Sequence, residues 1–232
     1  MTDKPKVCSA KSVASLIPKK IHQIFWSFTG KELKDIPKFK EHTLKTKQFA
    51  KHYGYEYKLW NLKDCEELIV EYFPQYIVLW TEFRYPIQRC DFIRYLILFI
   101  HGGWYIDCDV YPLQDLTPLE NNNQCFTMWH IDHKRLPYNA VFGSTDRNPL
   151  FLDIIEDVER RTYLKQSQKI YETWKGRLVF QTTGHSMLKN HIPKEDIHDL
   201  LTVFNEKKKI NCSSDNPYFH DSNISSWWGN NP

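Results

Sequence analysis

The chain has 232 residues, of which 41% are hydrophobic and 25% charged, a composition that suits one globular domain and excludes an intrinsically disordered chain. Its net charge of +3 is too small to indicate nucleic-acid binding, so we expect no nucleic-acid partner. Aromatic residues make up 15% of the chain, which leaves some beyond the needs of the core to stack on flat ligands.

The sequence shows neither a membrane span nor a metal-binding cysteine pattern. The longest apolar stretch, Tyr95 to Ile100, is too short to cross a bilayer, and residues 1–20 lack the apolar core of a secretory signal. The six cysteines are scattered without C-x-x-C spacing, which argues against a zinc site or a disulfide framework. We therefore expect a cytoplasmic protein with reduced thiols.

The first half of the chain alternates between strand and helix patterns. Residues 1–16 are polar and predict a loose arm. Four elements are then predicted in succession: a buried strand at 20–26, a basic helix at 38–52, an alternating strand at 55–60 and a helix at 61–72.

Residues 91–101 form the clearest predicted helix, because apolar side chains nearly encircle it. Asp91 is predicted to cap its start, and the Gly102–Gly103 pair to end it. The next segment, 104–110, predicts a strand that carries Asp107 and Asp109 towards a polar end.

This alternation predicts an α/β fold in which helices flank a mostly parallel central sheet. The second half is less regular, with a helix predicted at 151–163, a strand and turn at 179–184, and no clear periodicity in 211–232. Since no linker divides the chain, we expect residues 1–232 to form a single domain.

Asp107 and Asp109 are the first candidate site. Residues two apart on a strand share a face, so both carboxylates would point into one cleft beyond the carboxyl end of the strand. Two adjacent carboxylates repel, and a hard divalent cation such as Mn²⁺ or Mg²⁺ removes that repulsion while leaving positions for substrate phosphates. Cys108, between them, is predicted to face the core.

The segment from Arg89 to Val110 resembles a longer family pattern, R-x-D-x-x-R-Y-x-x-L-x-x-x-G-G-x-Y-x-D-x-D-V. This is the core of the DXD glycosyltransferases of family thirty-two, which include fungal initiating mannosyltransferases and share the motif with the glucosylating domains of large clostridial toxins. The segment from Ile17 to Ile24 is similar to the family's opening strand. The resemblance covers about the first half of the chain and implies a GT-A-like, nucleotide-binding fold.

The resemblance also implies roles for the acidic and basic residues of this core. Asp109 is similar to the acid that ligates the metal directly, and Asp107 to the acid that contacts the donor and reaches the metal through water. Asp91 and Arg94 resemble the pair that holds hydroxyl groups of the donor sugar. One turn apart on a helix, they would share a face. Taken without the motif, the two residues are better explained as an N-cap with a local ion pair, whereas the motif favours the sugar-binding role.

Matches outside this core are looser. The segment from His220 to Trp227 resembles the family's late H…S-W element, which implies His220 as a metal ligand and places Ser226 and Trp227 near the donor diphosphate. Asn139 resembles an asparagine near the acceptor side of the donor sugar, which implies a place among the donor-binding residues. Where the family has a tryptophan that stacks on the base, this chain has Phe25 followed by Trp26, and a strand would point the two rings in opposite directions.

The resemblance implies a metal-dependent, retaining glycosyltransferase that uses a UDP- or GDP-sugar, Mn²⁺ or Mg²⁺, and a glycan or glycoprotein acceptor. One alternative is a metal-dependent phosphoesterase or nuclease, which would need further acidic or histidine ligands. Another is a non-catalytic module that binds nucleotide sugars.

Overall fold

The computed structural model describes residues 17–28, 30–131, 134–167, 175–205, 210–213 and 217–222. The predicted arm at 1–16 and the candidate donor residues Ser226 and Trp227 lie outside these ranges.

The described helices and strands alternate through the first half of the chain. The helices are α1 (Pro37–Tyr53), α2 (Leu62–Tyr72), α3 (Ile77–Glu82), α4 (Pro86–His101), α5 (Pro149–Ser167), α6 (Lys175–Thr182) and α7 (His185–Leu188). The strands are β1 (Lys20–Ile24), β2 (Glu56–Trp60), β3 (Gly103–Ile106), β4 (Val110–Pro112), β5 (Gln124–Ile131), β6 (Lys134–Ser144), β7 (Ile197–His198), β8 (Leu201–Asn205), β9 (Ile210–Ser213) and β10 (Phe219–Asp221).

A six-stranded central sheet has the strand order β2-β1-β3-β6-β5-β7. Strands β2, β1 and β3 are parallel, β6 is antiparallel to both of its neighbours, and β7 is parallel to β5. A smaller sheet has the order β4-β10-β8-β9. The predicted α/β architecture with a mostly parallel sheet is confirmed, and the carboxyl ends of β1, β2 and β3 lie at one edge.

Local signals explain where the helices begin and end. Helix α1 begins at Pro37 and ends at Gly54, which adopts the left-handed conformation with a φ of 75°. In α2, the Asn61 and Asp64 side chains each accept the backbone N–H of the other residue, closing a capping box. These signals explain why the helices predicted at 38–52 and 61–72 are confirmed almost to the residue.

The core has two parts, one on each face of the central sheet. Helix α4 lies in the larger part with α2, α3 and α5, and its residues from Phe92 to Leu98 are almost fully buried. Helix α1 packs on the opposite face, against the smaller part. The prediction that the helix carrying Asp91 and Arg94 is buried all round is therefore confirmed.

Three sequence-based predictions were wrong in detail. Helix α4 begins at Pro86, so Asp91 lies in its second turn and does not cap it. Strand β3 ends at Ile106, and the Asp107–Asp109 segment forms a turn, because the chain crosses there from the large sheet to the small one. Residues 179–184 are not a strand and turn, since α6 runs through Thr182.

The described chain bears on two sequence-based expectations, the state of the cysteines and the presence of membrane-spanning helices. Cys65, Cys90, Cys108 and Cys125 are buried and free of disulfides. Cys108 faces the core as predicted. In the ranges covered by the structure, no helix has both the length and the apolar character needed to cross a bilayer.

Candidate active site

The Asp-x-Asp segment forms a turn at the carboxyl edge of the parallel strands. The Asp107 backbone N–H donates to the carbonyl of Ala140 at 2.8 Å, and the Asp107 carbonyl accepts from Gln23 Nε2 at 3.2 Å. The Cys108 thiol donates to the carbonyl of Ile24 at 3.3 Å. Because the turn is bonded to β1 and β6, its backbone has a fixed position beside the strand ends.

The glycine pair at the junction of α4 and β3 lets these elements approach their neighbours closely. Gly102 and Gly103 have φ values of 60° and 92°, a region that side chains disfavour. A Cβ atom on Gly102 would lie 2.7 Å from the Asp146 nitrogen, and one on Gly103 would lie 2.6 Å from the Lys20 carbonyl oxygen. Both positions therefore require glycine.

His22 of β1 ties the first strand to this glycine pair. Its Nδ1 accepts from Trp60 Nε1 at 3.2 Å, so Nε2 carries the proton and donates to the Gly102 carbonyl at 3.0 Å. Burial lowers the pKa of His22 to about 3, so the ring is neutral and holds the scaffold in place.

A buried ion cluster lies beside the turn, and we call Asp91, Arg94 and Asp107 the site cluster. Arg94 is only 3% exposed; its Nη2 lies 3.0 Å from Asp91 Oδ1 and its Nη1 3.4 Å from Asp107 Oδ1. Nη1 also donates to the carbonyl of Asn139. The Tyr105 hydroxyl donates to Asp107 Oδ1 at 2.5 Å, and its ring centroid lies 4.6 Å from the guanidinium carbon.

Two carboxylates share a single guanidinium in the site cluster, so negative charge is in excess there. Burial raises the pKa of Asp91 to about 6, although Arg94 and two hydrogen-bond donors oppose the shift. Burial likewise raises the pKa of Asp107, against Arg94 and Tyr105. The Asp107 side chain is 30% exposed, which leaves it open to a ligand.

Asn139 and Thr183 complete the surroundings of Asp91. Asn139 Nδ2 donates to Asp91 Oδ1 at 3.0 Å, and Thr183 Oγ1 donates to Asp91 Oδ2 at 2.8 Å. The structure thus brings together Asp91, Arg94, Asp107 and Asn139, all candidates from the sequence. Thr183 was missed because its segment was predicted as a strand; the helical spacing of Leu178, Val179 and Thr182 was the available signal.

The Asp109 backbone is fixed by α1 and by the chain after β10. Its carbonyl oxygen accepts from the Ser222 backbone N–H at 3.1 Å. Ser222 Oγ also lies 3.3 Å from His42 Nε2. The Asp109 residue is half-buried, so the backbone is anchored while the residue remains partly accessible.

A third acid, Asp221, lies near the Asp-x-Asp turn. It is fully buried and accepts from the Tyr138 hydroxyl at 2.9 Å. Burial raises the pKa of Tyr138, and the negative charges of Asp221, Asp109 and Asp107 raise it further. The sequence analysis chose the neighbouring His220 and overlooked Asp221.

His220 lies on the α1 side of β10, away from Asp221, because successive residues of a strand face opposite sides. Its ring centroid is 4.9 Å from that of Tyr111 and 6.1 Å from that of His42. Burial lowers the pKa of His220, and Lys45 of α1 lowers it further. The electrostatic environment of this ring is therefore set by α1.

Phe25 and Trp26 point towards different helices, as expected for consecutive residues that continue a strand. The Phe25 ring packs edge-on against Phe39 at 6.3 Å, and the Trp26 ring against Trp80 at 6.1 Å. Both residues are half-buried, so each keeps accessible ring surface at the end of β1.

The oxygen donors at the turn fit a hard divalent cation better than a soft one. In the part of the chain that the structure describes, no group of three histidine, cysteine or acidic side chains is arranged to hold a metal alone. A Mn²⁺ or Mg²⁺ ion at this turn would thus take its remaining ligands from water and substrate phosphates, the usual arrangement for Mg²⁺.

Comparisons with known proteins agree with this geometry. A family model described as "Glycosyltransferase sugar-binding region containing DXD motif" matches residues 4–127. The Saccharomyces cerevisiae mannosyl phosphorylinositol ceramide synthase SUR1 is 34% identical over 149 residues, which cover 62% of this chain and 35% of that protein. An uncharacterized glycosyltransferase of Acanthamoeba polyphaga mimivirus, L373, is 27% identical over 224 residues, covering 91% and 84% of the two chains.

The chain therefore spans about a third of the length of the SUR1 synthase and most of the mimiviral protein. Among solved structures, the PaToxG glycosyltransferase superposes with a TM-score of 0.50 at 15% identity, covering 78% of this chain and 70% of that one. At this identity the similarity concerns the fold alone, and it confirms the GT-A-like architecture.

Proposed function

The chain belongs to the glycosyltransferases whose sugar-binding region contains a DXD motif, and from this membership we propose that it transfers a hexose from a nucleoside-diphosphate sugar to a hydroxyl group. The observation that carries the proposal is the under-neutralised site cluster beside the Asp-x-Asp turn. Two carboxylates share one guanidinium there, and Asp109 follows in the adjoining turn, which suits a ligand that brings both a cation and hydroxyl groups.

We assign the sugar to the Asp91 side of this site. Asp91 is held by Arg94, Asn139 and Thr183, so its position is fixed before any ligand arrives. A fixed carboxylate accepts hydrogen bonds from sugar hydroxyls without reorganising, and the Arg94 charge keeps it ionised near neutral pH. Arg94 also orients Asp107, the more exposed acid of the site cluster.

We assign the donor diphosphate to the Asp107–Asp109 turn, with Mn²⁺ or Mg²⁺ as the cofactor. Bound there, such an ion would neutralise the charge that develops on the diphosphate leaving group. Asp109 is the direct ligand in this proposal, and the bond from the Ser222 backbone N–H to its carbonyl holds its backbone at the edge of the sheet. His220 and Asp221 are the remaining candidates for completing the metal environment.

We propose mannose as the first donor sugar to test, with a glycan or glycolipid as acceptor. SUR1 is named as a mannosyl phosphorylinositol ceramide synthase, and a Schizosaccharomyces pombe relative, 29% identical over 140 residues, as inositol phosphoceramide mannosyltransferase 3. UDP-sugars belong in the same panel, because a Phe25 or Trp26 ring can stack on uracil as well as on guanine and so does not determine the base of the donor.

The test incubates the full chain with GDP-mannose and a panel of UDP-sugars, with Mn²⁺ or with a chelator, and measures released nucleoside diphosphate. We expect release from one donor class, with Mn²⁺ only, and its loss in Asp109→Asn. Asp153→Asn, a change at an exposed acid of α5, is the matched control and should behave as wild type. Release of sugar phosphate, or equal release with a chelator, would contradict the proposal.

A further inference from the structure

Helix α1 concentrates positive charge that the proposed transfer does not use. It contains five lysines and a single acid, Glu41, a net charge of +4, whereas the whole chain carries only +3. The rest of the molecule is therefore close to neutral, and α1 accounts for the basic character of the chain.

Three of these lysines form one exposed face of the helix. Lys40, Lys47 and Lys51 are exposed, and Leu44, which is 53% exposed, lies between them at spacings of four, three and four residues. The opposite side of α1 carries its buried residues, including Thr46 and Ala50, and packs on the core. We call Lys40, Leu44, Lys47 and Lys51 the lysine face.

The charges of the lysine face are not neutralised locally. Elsewhere in the described chain lysines do pair with acids: Lys45 with Glu41 at 2.7 Å and Lys63 with Glu67 at 3.6 Å. No acidic side chain of the described ranges forms such a pair with Lys40, Lys47 or Lys51. Their ammonium groups are thus available to an external partner.

The helix that carries the lysine face also supports the candidate active site. The His42 imidazole, on its inner side, lies 3.3 Å from Ser222 Oγ, and the Ser222 backbone N–H donates to the carbonyl of Asp109. Lys45 Nζ lies 4.2 Å from the centroid of the Tyr111 ring in β4. A surface bound along the lysine face would therefore lie one helix diameter, roughly 10 Å, from the residues that hold the Asp-x-Asp turn.

The character of the face indicates its partner. From Ile17 to Phe83 the chain contains no arginine, the residue that recognises individual phosphates through paired hydrogen bonds. Lysines act as point charges on flexible stems, which suits a diffuse sheet of anionic headgroups, and an apolar Leu44 at the centre suits the acyl boundary below them. A duplex nucleic acid, the other polyanion that lysines bind, offers no acyl layer for Leu44 and is the less suitable partner.

We propose that the lysine face of α1 docks on a bilayer surface rich in anionic phospholipid. Docking would bring the candidate active site close to acceptors held in that bilayer. The presentation of acceptors rests on the proposed function, whereas the docking itself does not. Since each lysine near an anionic bilayer contributes about a fivefold gain in affinity, the three together supply on the order of 100-fold.

The experiment sediments the full chain with phosphatidylcholine vesicles, with or without phosphatidylserine. We expect binding to the anionic vesicles only, weakened by added salt, and reduced on the order of 100-fold in Lys40→Gln/Lys47→Gln/Lys51→Gln. The control, Lys63→Gln/Lys189→Gln/Lys194→Gln, removes the same charge from exposed lysines outside α1 and should bind within about twofold of wild type.

The proposal would be overturned by equal binding to neutral and anionic vesicles, or by an equal loss of vesicle binding in the two triple variants. It would also be overturned if a duplex RNA displaced the protein from the vesicles at a lower concentration than phosphatidylserine does. Release of nucleoside diphosphate from a soluble donor should be unchanged in the α1 variant. That readout separates failure of the docking from failure of the transferase.

Discussion

Two carboxylate clusters in this chain have opposite charge balances. In the site cluster, two acids share the single guanidinium of Arg94. A second cluster joins α5 to the segment after α7, and we call it the interhelix cluster: Asp157, Arg160, Arg161 and His191. There one acid receives three donors, with Arg161 Nε at 2.7 Å and His191 Nε2 at 2.8 Å from Asp157 Oδ2.

The pKa values of the acids reflect this difference. Burial outweighs Arg94 in the site cluster and raises the pKa of Asp91 to about 6. In the interhelix cluster, burial would also raise the pKa of Asp157, but hydrogen bonds from His191 and the two arginines outweigh it and lower the pKa. A carboxylate that is fully neutralised has no capacity left for a ligand, whereas an under-neutralised one attracts cations and hydroxyl donors.

The largest expected effect comes from removing an arginine from each cluster. Arg94→Met leaves the buried Asp91 and the partly exposed Asp107 without their counter-charge, and should lower the free energy of unfolding by about 3–5 kcal/mol. Arg160→Met, whose side chain is 61% exposed, should cost less than about 1 kcal/mol. Urea unfolding measures the free energy of unfolding of both variants. An equal decrease in the two variants would show that the two clusters do not differ in charge balance.

The two clusters should respond to pH with opposite signs. Between about pH 4 and 6 the folded protein holds a proton on Asp91 that the unfolded chain has released, so this group makes stability fall as the pH rises, by up to about 3 kcal/mol. The lowered pKa of Asp157 does the reverse: its contribution is complete above the unfolded pKa and is lost as the pH falls.

Chemical unfolding from about pH 2.5 to 7 tests this in single variants, because the two acids act on either side of the ordinary carboxyl pKa of about 4. Relative to wild type, Asp91→Asn should gain stability as the pH rises from about 4 to 6, and Asp157→Asn should lose stability as the pH rises towards about 4. The same slope for both variants would show that burial and pairing do not separate the two acids.

A smaller effect is expected from the hydroxyl that orients Asp91. Thr183→Val removes the 2.8 Å bond and should destabilise the protein by about 1–2 kcal/mol while raising the KM for the donor. Thr162→Val is the control, because that buried hydroxyl donates only to the Val158 carbonyl of its own helix. If both variants changed the donor KM equally, Thr183 would have no special part in positioning Asp91.

Sequence reasoning succeeded where local patterns determine structure. The helix around Asp91 and Arg94, the glycine pair and the first two strands follow from periodicity, capping and backbone sterics, all of which act within a few residues. It failed where contacts join distant segments: Thr183 reaches Asp91 across 92 positions, and Tyr138 reaches Asp221 across 83. The residues of the site cluster were predictable from the family resemblance, but their shared guanidinium was not.

The turn at Asp107–Asp109 was misassigned for a related reason. An apolar run followed by two acids is compatible with one long strand, and nothing in the local pattern shows that the chain changes sheets there. The chain changes sheets because β4 pairs with β10, which lies more than 100 residues further along the sequence.

The central claim is that the Asp-x-Asp turn holds a divalent ion that binds the donor diphosphate. Isothermal titration of the donor identified in the release assay, with Mn²⁺ and with chelator, tests it most directly in wild type, Asp109→Asn and Asp157→Asn. We predict that chelator or Asp109→Asn weakens donor binding at least about tenfold, equivalent to about 1.4 kcal/mol, and that Asp157→Asn leaves it unchanged. Equal donor affinity with and without Mn²⁺ in the wild-type protein would contradict the account.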